Sequence, residues 1–154
     1  MLLIMSCMNL CFWQFIDTWE SGQARHVSDY EGHLRRSKFC FCTYGRGWGI
    51  RVVQAMLAGC VPVIVQDHVA QPFEYELPWE AFSLRLGNAD LPLLRQILHS
   101  ISDGHYKQLL DGVLQYSSAF FWDVAAGGKA MDYTLLSLRR VYKNLKSGFY
   151  GING

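Results

Sequence analysis

The chain has 154 residues, of which 51% are hydrophobic and 18% are charged, and its formal net charge is +1 at pH 7. This length supports one hydrophobic core and one domain, and the composition excludes a disordered chain. A nearly neutral chain argues against a nucleic-acid partner, because such partners are bound by strongly basic surfaces. Five cysteines without a CxxC pair argue against a disulfide framework and against a zinc site.

Residues 1–16 read MLLIMSCMNLCFWQFI and contain no charge. They are too few for a membrane-spanning helix, which needs roughly 20 apolar residues, and they lack the basic start of a signal peptide. The segment therefore offers no convincing anchor. We interpret it as an edge helix or strand of the domain, or as the arbitrary start of an incomplete gene, and we favour truncation.

Residues 30–36 are predicted to form a short helix with Leu34 facing inward. Residues 38–43 then read as a strand that is covered on both faces. Cys40 and Cys42 are expected to point to opposite faces of this strand and to be small buried hydrophobes, without a bridge between them.

A glycine-rich turn at 44–49 leads from this strand into a helix that ends at Gly59. The turn and the helix N-terminus predict an anion site, because free backbone N–H groups and the positive end of the helix dipole meet there. Residues 61–65 form the next strand, in which Pro62 is tolerated near the beginning. The helix is expected to bury one face formed by Ile50, Val53, Met56 and Leu57.

Two arginines beside the anion site are candidate phosphate ligands. Arg46 stands between glycines, and a guanidinium suits bidentate binding of phosphate oxygens, although a solvent-facing loop residue is the alternative. Arg51 lies in the first helical turn, where a cation is disfavoured unless an anion binds nearby; an exposed charge paired with a carboxylate is the alternative. Gln54 shares the polar face of the helix with Arg51.

Asp67 and His68 follow the second strand, at the carboxyl edge where open α/β sheets bind ligands. Asp67 is interpreted as a hydrogen-bond acceptor for a ligand or as a residue that shapes the loop. For His68, a hydrogen-bonded loop histidine is preferred over a catalytic role. Trp79 is expected to pack in the interior, with stacking on a ligand ring as the alternative.

The remaining residues complete a pattern of strands and helices. Residues 82–86 alternate as a third strand, a helix runs from Asn88 or Asp90 to about residue 102, and another spans 103–122. The helix over 103–122 is expected to bury Leu109, Leu110, Val113 and Leu114, and a last amphipathic helix is marked by Met131, Leu135, Leu138, Val141 or Tyr142, and Leu145. We predict an α/β fold, a single Rossmann-like domain with a parallel sheet flanked by helices.

The stretch GWGIRVVQAMLAGCVPVIVQDHVAQPFEYELPWEAFS at 47–83 resembles the signature of the exostosin-like glycosyltransferases, family 47. AFFW at 119–122 and GGKAMDYTLLSLRR at 127–140 extend the resemblance. It implies a domain over 29–146, preceded by a poorly matched segment at 1–28 and followed by a flexible tail at 147–154. Enzymes of this family have two facing Rossmann-like domains, the GT-B architecture, and this chain resembles the C-terminal, donor-binding half.

The resemblance implies an inverting, metal-independent transferase that moves a sugar from a UDP-sugar to a glycan or glycoprotein acceptor. No cofactor beyond this donor substrate is implied, and no DxD motif occurs. The implied partners are the missing N-terminal domain and a homo- or hetero-oligomer, and the parent family is implied to be type II in the Golgi membrane. The expected substrate-binding residues are Gly45, Arg46, Gly47, Trp48, Gly49, Arg51, Gln54, Asp67 and His68; no catalytic base is nominated, so this chain alone is expected to be inactive.

Two other functions compete with this reading. Family members usually carry Glu at the place of Gln54, where the carboxylate accepts hydrogen bonds from ribose hydroxyls, so Gln54 favours an inactive pseudo-glycosyltransferase or partner-binding module. A dinucleotide-dependent oxidoreductase is disfavoured, because Ile50 interrupts the GxGxxG fingerprint that begins at Gly45.

Overall fold

The computed structural model describes residues 30–43 and 50–150, without the side chains of 147–150. Three parallel strands form one sheet in the order β1 (Phe39–Thr43), β2 (Val61–Val65), β3 (Leu84–Arg85). β1 pairs with β2 along its whole length, from Phe39 opposite Val61 to Thr43 opposite Val65. Helices flank this sheet, so the predicted Rossmann-like α/β fold is confirmed.

The central strand β2 is buried at all five positions. Helices and neighbouring strands cover it on every side, which explains its unbroken apolar sequence. Pro62 lies opposite Cys40 of β1, whereas the pairing with β3 begins only at Val63. The missing N–H of Pro62 therefore costs no hydrogen bond to β3, as the position near the strand's beginning predicts.

Five α-helices and three short 3₁₀ helices surround the sheet within the described residues. The α-helices are α1 (Tyr30–Arg36), α2 (Ile50–Leu57), α3 (Leu94–Ser100), α4 (Asp103–Tyr116) and α5 (Ala130–Tyr150), and the 3₁₀ helices span Trp79–Ala81, Asn88–Leu93 and Ser117–Phe120. The predicted helix from Asn88 to about residue 102 is thus divided in two, with Pro92 in its 3₁₀ part. Proline removes a helical hydrogen bond, which accounts for the division.

The third strand is shorter than the predicted 82–86. Phe82 and Ser83 are buried, but their N–H groups bond to the Trp79 carbonyl and close the preceding 3₁₀ helix. Only Leu84 and Arg85 pair with β2. Alternation agrees with the burial of Phe82 and the exposure of Arg85 but not with the burial of Ser83, because Phe82 and Ser83 belong to the turn that closes the 3₁₀ helix.

The buried face of α2 also differs from the predicted one. Val52, Ala55 and Met56 are buried, whereas Ile50 is 67% and Leu57 is 40% exposed. The buried side chains join the core cluster that includes Phe120, so the helix faces both the sheet and the segment after α4. Met56 belongs to the predicted face and is buried, so the prediction is correct in part, but the buried face is turned toward Val52 and Ala55 and away from Ile50.

Gly112 explains why α4 buries Leu109 and Val113 while Leu114 is 64% exposed. A Cβ atom at Gly112 would lie 2.2 Å from the Ala81 carbonyl oxygen, so this helix approaches the backbone of the first 3₁₀ helix too closely for a side chain. The packing face is therefore centred on Gly112, and the prediction that Leu114 is buried is wrong.

A disulfide joins Cys40 to Cys60, with Cα atoms 5.8 Å apart. The expectation that Cys40 is only a small buried hydrophobe is therefore wrong, whereas Cys42 is a buried free thiol, as expected. The expectation that Cys40 and Cys42 point to opposite faces of the strand is also wrong, because residues two apart in a strand point the same way and both lie on the buried face of β1. Twenty residues separate Cys40 from Cys60 in sequence, and the pairing of β1 with β2 brings them together.

The last helix is held to the loop before the first 3₁₀ helix by an ion pair in which the carboxylate is buried and the guanidinium is half-buried. The side chain of Glu76 is only 4% exposed, and its Oε1 accepts a hydrogen bond of 2.7 Å from Arg140 Nε. Burial alone raises the pKa of Glu76, but hydrogen bonds from Arg140 and Ser137 and the nearby positive charge outweigh it, so the pKa lies below its ordinary value. Arg140 also stacks over the Tyr75 ring at 4.1 Å.

The outward face of α5 carries the predicted apolar residues. We call Met131, Leu135, Leu138, Tyr142 and Leu145 the apolar strip; these side chains are between 48% and 68% exposed. Within residues 30–43 and 50–150, no helix combines the length and apolarity needed to cross a bilayer.

Breaking the disulfide is expected to lower the free energy of unfolding by about 3 kcal/mol, the value typical of a ring of about this size. Chemical denaturation of Cys40→Ala/Cys60→Ala against the unmutated chain measures this. Reductant should destabilise the unmutated chain and Cys42→Ala but leave the double variant unchanged. Equal sensitivity of all three proteins to reductant would contradict the assignment.

Arg140→Ala is expected to lower the free energy of unfolding at pH 7 by about 3 kcal/mol, because Glu76 would stay buried without its cation. The exposed neighbour Arg139 is the matched control, and Arg139→Ala should change stability by less than about 0.5 kcal/mol.

The same pair predicts a pH dependence. The pKa of Glu76 is lower in the folded state than in the unfolded chain. The ionised carboxylate therefore adds to the free energy of unfolding above the usual carboxyl pKa of about 4.3, and this stabilisation is lost as the pH falls through the folded-state pKa. Urea unfolding between pH 7 and pH 3 should show a smaller acid loss in Glu76→Gln than in the unmutated chain. An identical pH profile for both would rule this contribution out.

Candidate functional site

The candidate site lies at the carboxyl edge of the sheet, where the ends of β1, β2 and β3 meet. Gln66, directly after β2, donates a hydrogen bond of 3.2 Å from Nε2 to the Thr43 carbonyl at the end of β1. Its Oε1 accepts a bond of 3.0 Å from Gln71 Nε2. Beside these residues is a cavity of about 270 Å³, lined by Ile64, Gln66, Asp67, His68, Val69, Gln71, Arg85, Leu86 and Gly87.

Asp67 is half-buried and joins two loops at this edge. Its Oδ2 accepts hydrogen bonds from the Asn88 backbone N–H at 3.2 Å and from the Asn88 side-chain Nδ2 at 2.6 Å. The carboxylate thus fixes the segment after β3 against the segment after β2. These contacts agree with the interpretation of Asp67 as a loop-shaping residue, and its role toward a sugar stays a prediction.

His68 lines the cavity and is exposed. Its backbone adopts φ of 62°, in the left-handed region that non-glycine residues rarely occupy. Such conformations persist only where surrounding contacts enforce them, and they are enriched at functional sites. Its neighbour Asp67 is anchored to Asn88, and the imidazole follows this fixed point at the edge of the cavity.

Arg85, which the sequence analysis did not single out, also lines the cavity. Its guanidinium binds the Glu74 carboxylate through both oxygens, at 2.6 Å and 2.8 Å. The hydrogen bond from Arg85 is the largest cause that lowers the pKa of Glu74. Arg85 is therefore a paired cation, and the rule that placed Asp67 at the carboxyl edge would have found it at the end of β3.

Arg51 and Gln54 lie on α2 and do not line this cavity. Arg51 is half-buried, and no carboxylate of the described residues forms an ion pair with it. It lies near the end of β1: burial raises the pKa of the Cys42 thiol to about 12, and the charge of Arg51 acts in the opposite direction. The exposed Gln54 accepts a hydrogen bond of 3.3 Å on Oε1 from the Tyr30 hydroxyl.

Trp79 is a core residue. It is 2% exposed and packs against Phe82, with ring centroids 4.9 Å apart, and against Phe120, at 5.9 Å. The predicted interior packing is confirmed, and stacking of this indole on a sugar is excluded by its burial.

The geometry arranges the predicted site residues in two groups along one edge of the sheet. Asp67 and His68 lie at the cavity after β2, and Arg51 and Gln54 lie on the helix that follows β1. The other five predicted residues, Gly45, Arg46, Gly47, Trp48 and Gly49, fall outside the described residues.

Comparison with known families decides the identity of this fold. Residues 3–101 match the Exostosin GT47 domain. The chain belongs to the exostosin GT47 family. The match spans the sheet, α2 and the cavity after β2, and so includes both groups of candidate residues.

Plant proteins are among the relatives that this GT47 chain resembles. A probable glucuronosyltransferase of Oryza sativa subsp. japonica is 33% identical over 119 residues, which are 75% of this chain and 28% of that protein. A probable glycosyltransferase of Arabidopsis thaliana is 37% identical over 86 residues, 55% of this chain and 18% of that protein. A probable beta-1,4-xylosyltransferase of Arabidopsis thaliana is 38% identical over 77 residues, which are 49% of this chain and 19% of that protein. The matched segments span less than a third of each relative's length.

For this exostosin-family site, Asp67→Ala is expected to lower the free energy of unfolding by about 1–2 kcal/mol, because two Asn88 donors lose their acceptor. Asp67→Asn keeps one acceptor oxygen and should lose less. Hydrogen exchange of the Asn88 amide, which should accelerate in Asp67→Ala, tests the local effect. Unchanged exchange would mean that Asp67 does not hold this segment.

Proposed function

We propose that this chain is the donor-binding half of an exostosin-type glycosyltransferase that transfers a sugar from a UDP-sugar to a glycan or glycoprotein acceptor. The observation that carries the proposal is Arg51: a half-buried cation in the first turn of α2, without a carboxylate partner among the described residues. An uncompensated cation at this end of a helix is electrostatically unfavourable. A bound diphosphate reverses that penalty.

The diphosphate is proposed to bind between the glycine-rich turn and α2. N–H groups at a helix N-terminus donate to phosphate oxygens, and guanidinium groups add charge-assisted hydrogen bonds. In this proposal Arg51 and Arg46 neutralise the leaving diphosphate, and no metal ion takes part. Gln54, one turn further along α2, contacts the ribose.

The sugar is proposed to occupy the cavity after β2. Its volume of about 270 Å³ and its polar lining suit a hydroxylated ring. Asp67 and His68 offer acceptors and a donor to sugar hydroxyls. Because Glu74 already neutralises Arg85, that cation adds no net charge to this pocket.

The proposed reaction is a single displacement with inversion. An acceptor hydroxyl oxygen bonds to the anomeric carbon while the bond from that carbon to the diphosphate breaks, and the hydroxyl proton passes to a general base. UDP leaves with the electron pair of the broken bond, stabilised by the cations at α2. The general base and the acceptor site are assigned to the N-terminal GT-B domain, so this chain alone is expected to be inactive.

The apolar strip of α5 supports the proposal that an N-terminal GT-B domain packs against this chain. A helix face this apolar and this exposed is typical of an interface. A cavity of about 470 Å³ adjoins the strip, lined by Glu76, Asp132, Tyr133, Leu135, Leu136 and Arg139, and can receive side chains of a partner surface. We assign this face to the N-terminal GT-B domain, which fits relatives more than three times as long as their matched segments.

The Cys40–Cys60 disulfide supports a location in the secretory pathway, because disulfides persist in oxidising compartments. We therefore propose that this domain works in the Golgi lumen, with the type II anchor of the family in the longer polypeptide.

An inactive pseudo-glycosyltransferase or partner-binding module is the second candidate. Gln54 favours it, because an amide at the usual place of a carboxylate lacks the charge and one acceptor oxygen. In that case the fold and the interface are kept and transfer is lost.

Isothermal titration of the chain with UDP tests the donor site. Arg51→Ala is expected to weaken binding about tenfold or more, because a charge-assisted hydrogen bond contributes about 1.5–3 kcal/mol. Arg95→Ala, which removes an exposed cation of α3, is the matched control and should bind as the unmutated chain does. Absence of UDP binding by a protein that circular dichroism shows to be folded would remove the donor-site proposal.

A further inference from the structure

Gln54 has a protein partner of its own, the Tyr30 hydroxyl. The hydroxyl donates to Gln54 Oε1 at 3.3 Å across 24 residues of sequence. Tyr30 is the first residue of α1, and this short helix is docked on the core by Leu34, which is 6% exposed. The Ser37 hydroxyl fixes the end of the same helix by donating to the His33 carbonyl at 2.7 Å. The phenol therefore approaches α2 from an anchored element.

This contact distinguishes the two ends of the Gln54 amide. The oxygen is the only acceptor on the side chain and the nitrogen carries its two N–H donors. An amide oxygen has two lone pairs, but the bond from Tyr30 fixes the rotation of the amide, and no contact among the described residues engages Nε2, whose N–H donors are left to a ligand. At this position a carboxylate would differ, because its second oxygen would be presented and would accept a hydrogen bond.

We propose that Tyr30 is a positioning residue of the nucleotide-sugar site. Its hydroxyl determines whether the oxygen or the nitrogen of the Gln54 amide faces the ribose. This inference rests on the proposed binding of a UDP-sugar. Through Tyr30, Gln54 donates from Nε2 to a ribose oxygen and does not accept from a ribose hydroxyl. The Tyr30 contact thus converts this side of the site from a hydrogen-bond acceptor to a donor.

The inference predicts that one substitution has opposite effects in two backgrounds. In the unmutated chain, Tyr30→Phe frees the Gln54 oxygen to accept from a ribose hydroxyl, so UDP should bind about threefold more tightly. In Gln54→Glu, Tyr30→Phe removes the group that holds the carboxylate in place, so UDP should bind about threefold more weakly. A merely structural role of Tyr30 would move both affinities in the same direction.

The experiment is isothermal titration of the full chain and of Tyr30→Phe, Gln54→Glu and the double variant with UDP and with 2′,3′-dideoxy-UDP. Tyr75→Phe, which removes a hydroxyl from an exposed tyrosine outside the proposed site, is the matched control. The opposite shifts should appear with UDP and vanish with the dideoxy nucleotide, which lacks both hydroxyls. Thermal unfolding of each variant verifies that the fold is kept.

Every result decides the inference. Shifts of the same sign, no shift, or equal shifts with the dideoxy nucleotide overturn the role of Tyr30, while UDP binding that still depends on Arg51 leaves the donor site intact. No binding of UDP by any folded variant overturns the donor site and the role of Tyr30 together.

Discussion

The parallel pairing of β1 with β2 is the constraint on which the rest of the structure depends. Two parallel neighbours require a crossover, and here α2 provides it, so its N-terminus necessarily starts at the carboxyl edge of the sheet. The same geometry brings the segment after β2 to that edge. For this reason alone, Arg51 and Asp67 lie at the same carboxyl edge of the sheet, although they are sixteen positions apart in the chain. The site is thus a consequence of topology before any side chain is specified.

The local sequence predicts those elements whose burial follows from their own residue types. β2 is an example, because its five apolar residues leave little choice but burial on both faces. The buried face of α2 was only partly predicted because Ile50 and Val52 are both apolar, and the sheet and the segment that carries Phe120 decide which of them is covered. Gly112 is a similar case, since a glycine within a helix gives no sign that another backbone approaches it.

The candidate site divides in the same way between local and tertiary information. The motif after β2 was sufficient to select Asp67, but its bond to Asn88 depends on how β3 returns beside β2. Tyr30 could not have been found from sequence, because its partner Gln54 lies on another helix and no spacing rule links them. The Cys40–Cys60 bridge could not be predicted for the same reason. Cys42 is the cysteine nearest to Cys40 in sequence, whereas Cys60 comes close to Cys40 only through the register of the sheet.

That bridge has a consequence for the covalent topology of the chain. It joins β1 to the residue just before β2, so the glycine-rich turn and the whole of α2 lie inside one closed loop of polypeptide. A protease that cuts anywhere within this loop leaves a nicked molecule whose two pieces remain tethered. The turn and α2 can thus be cut without loss of either piece, and the two pieces separate on a denaturing gel only after reduction.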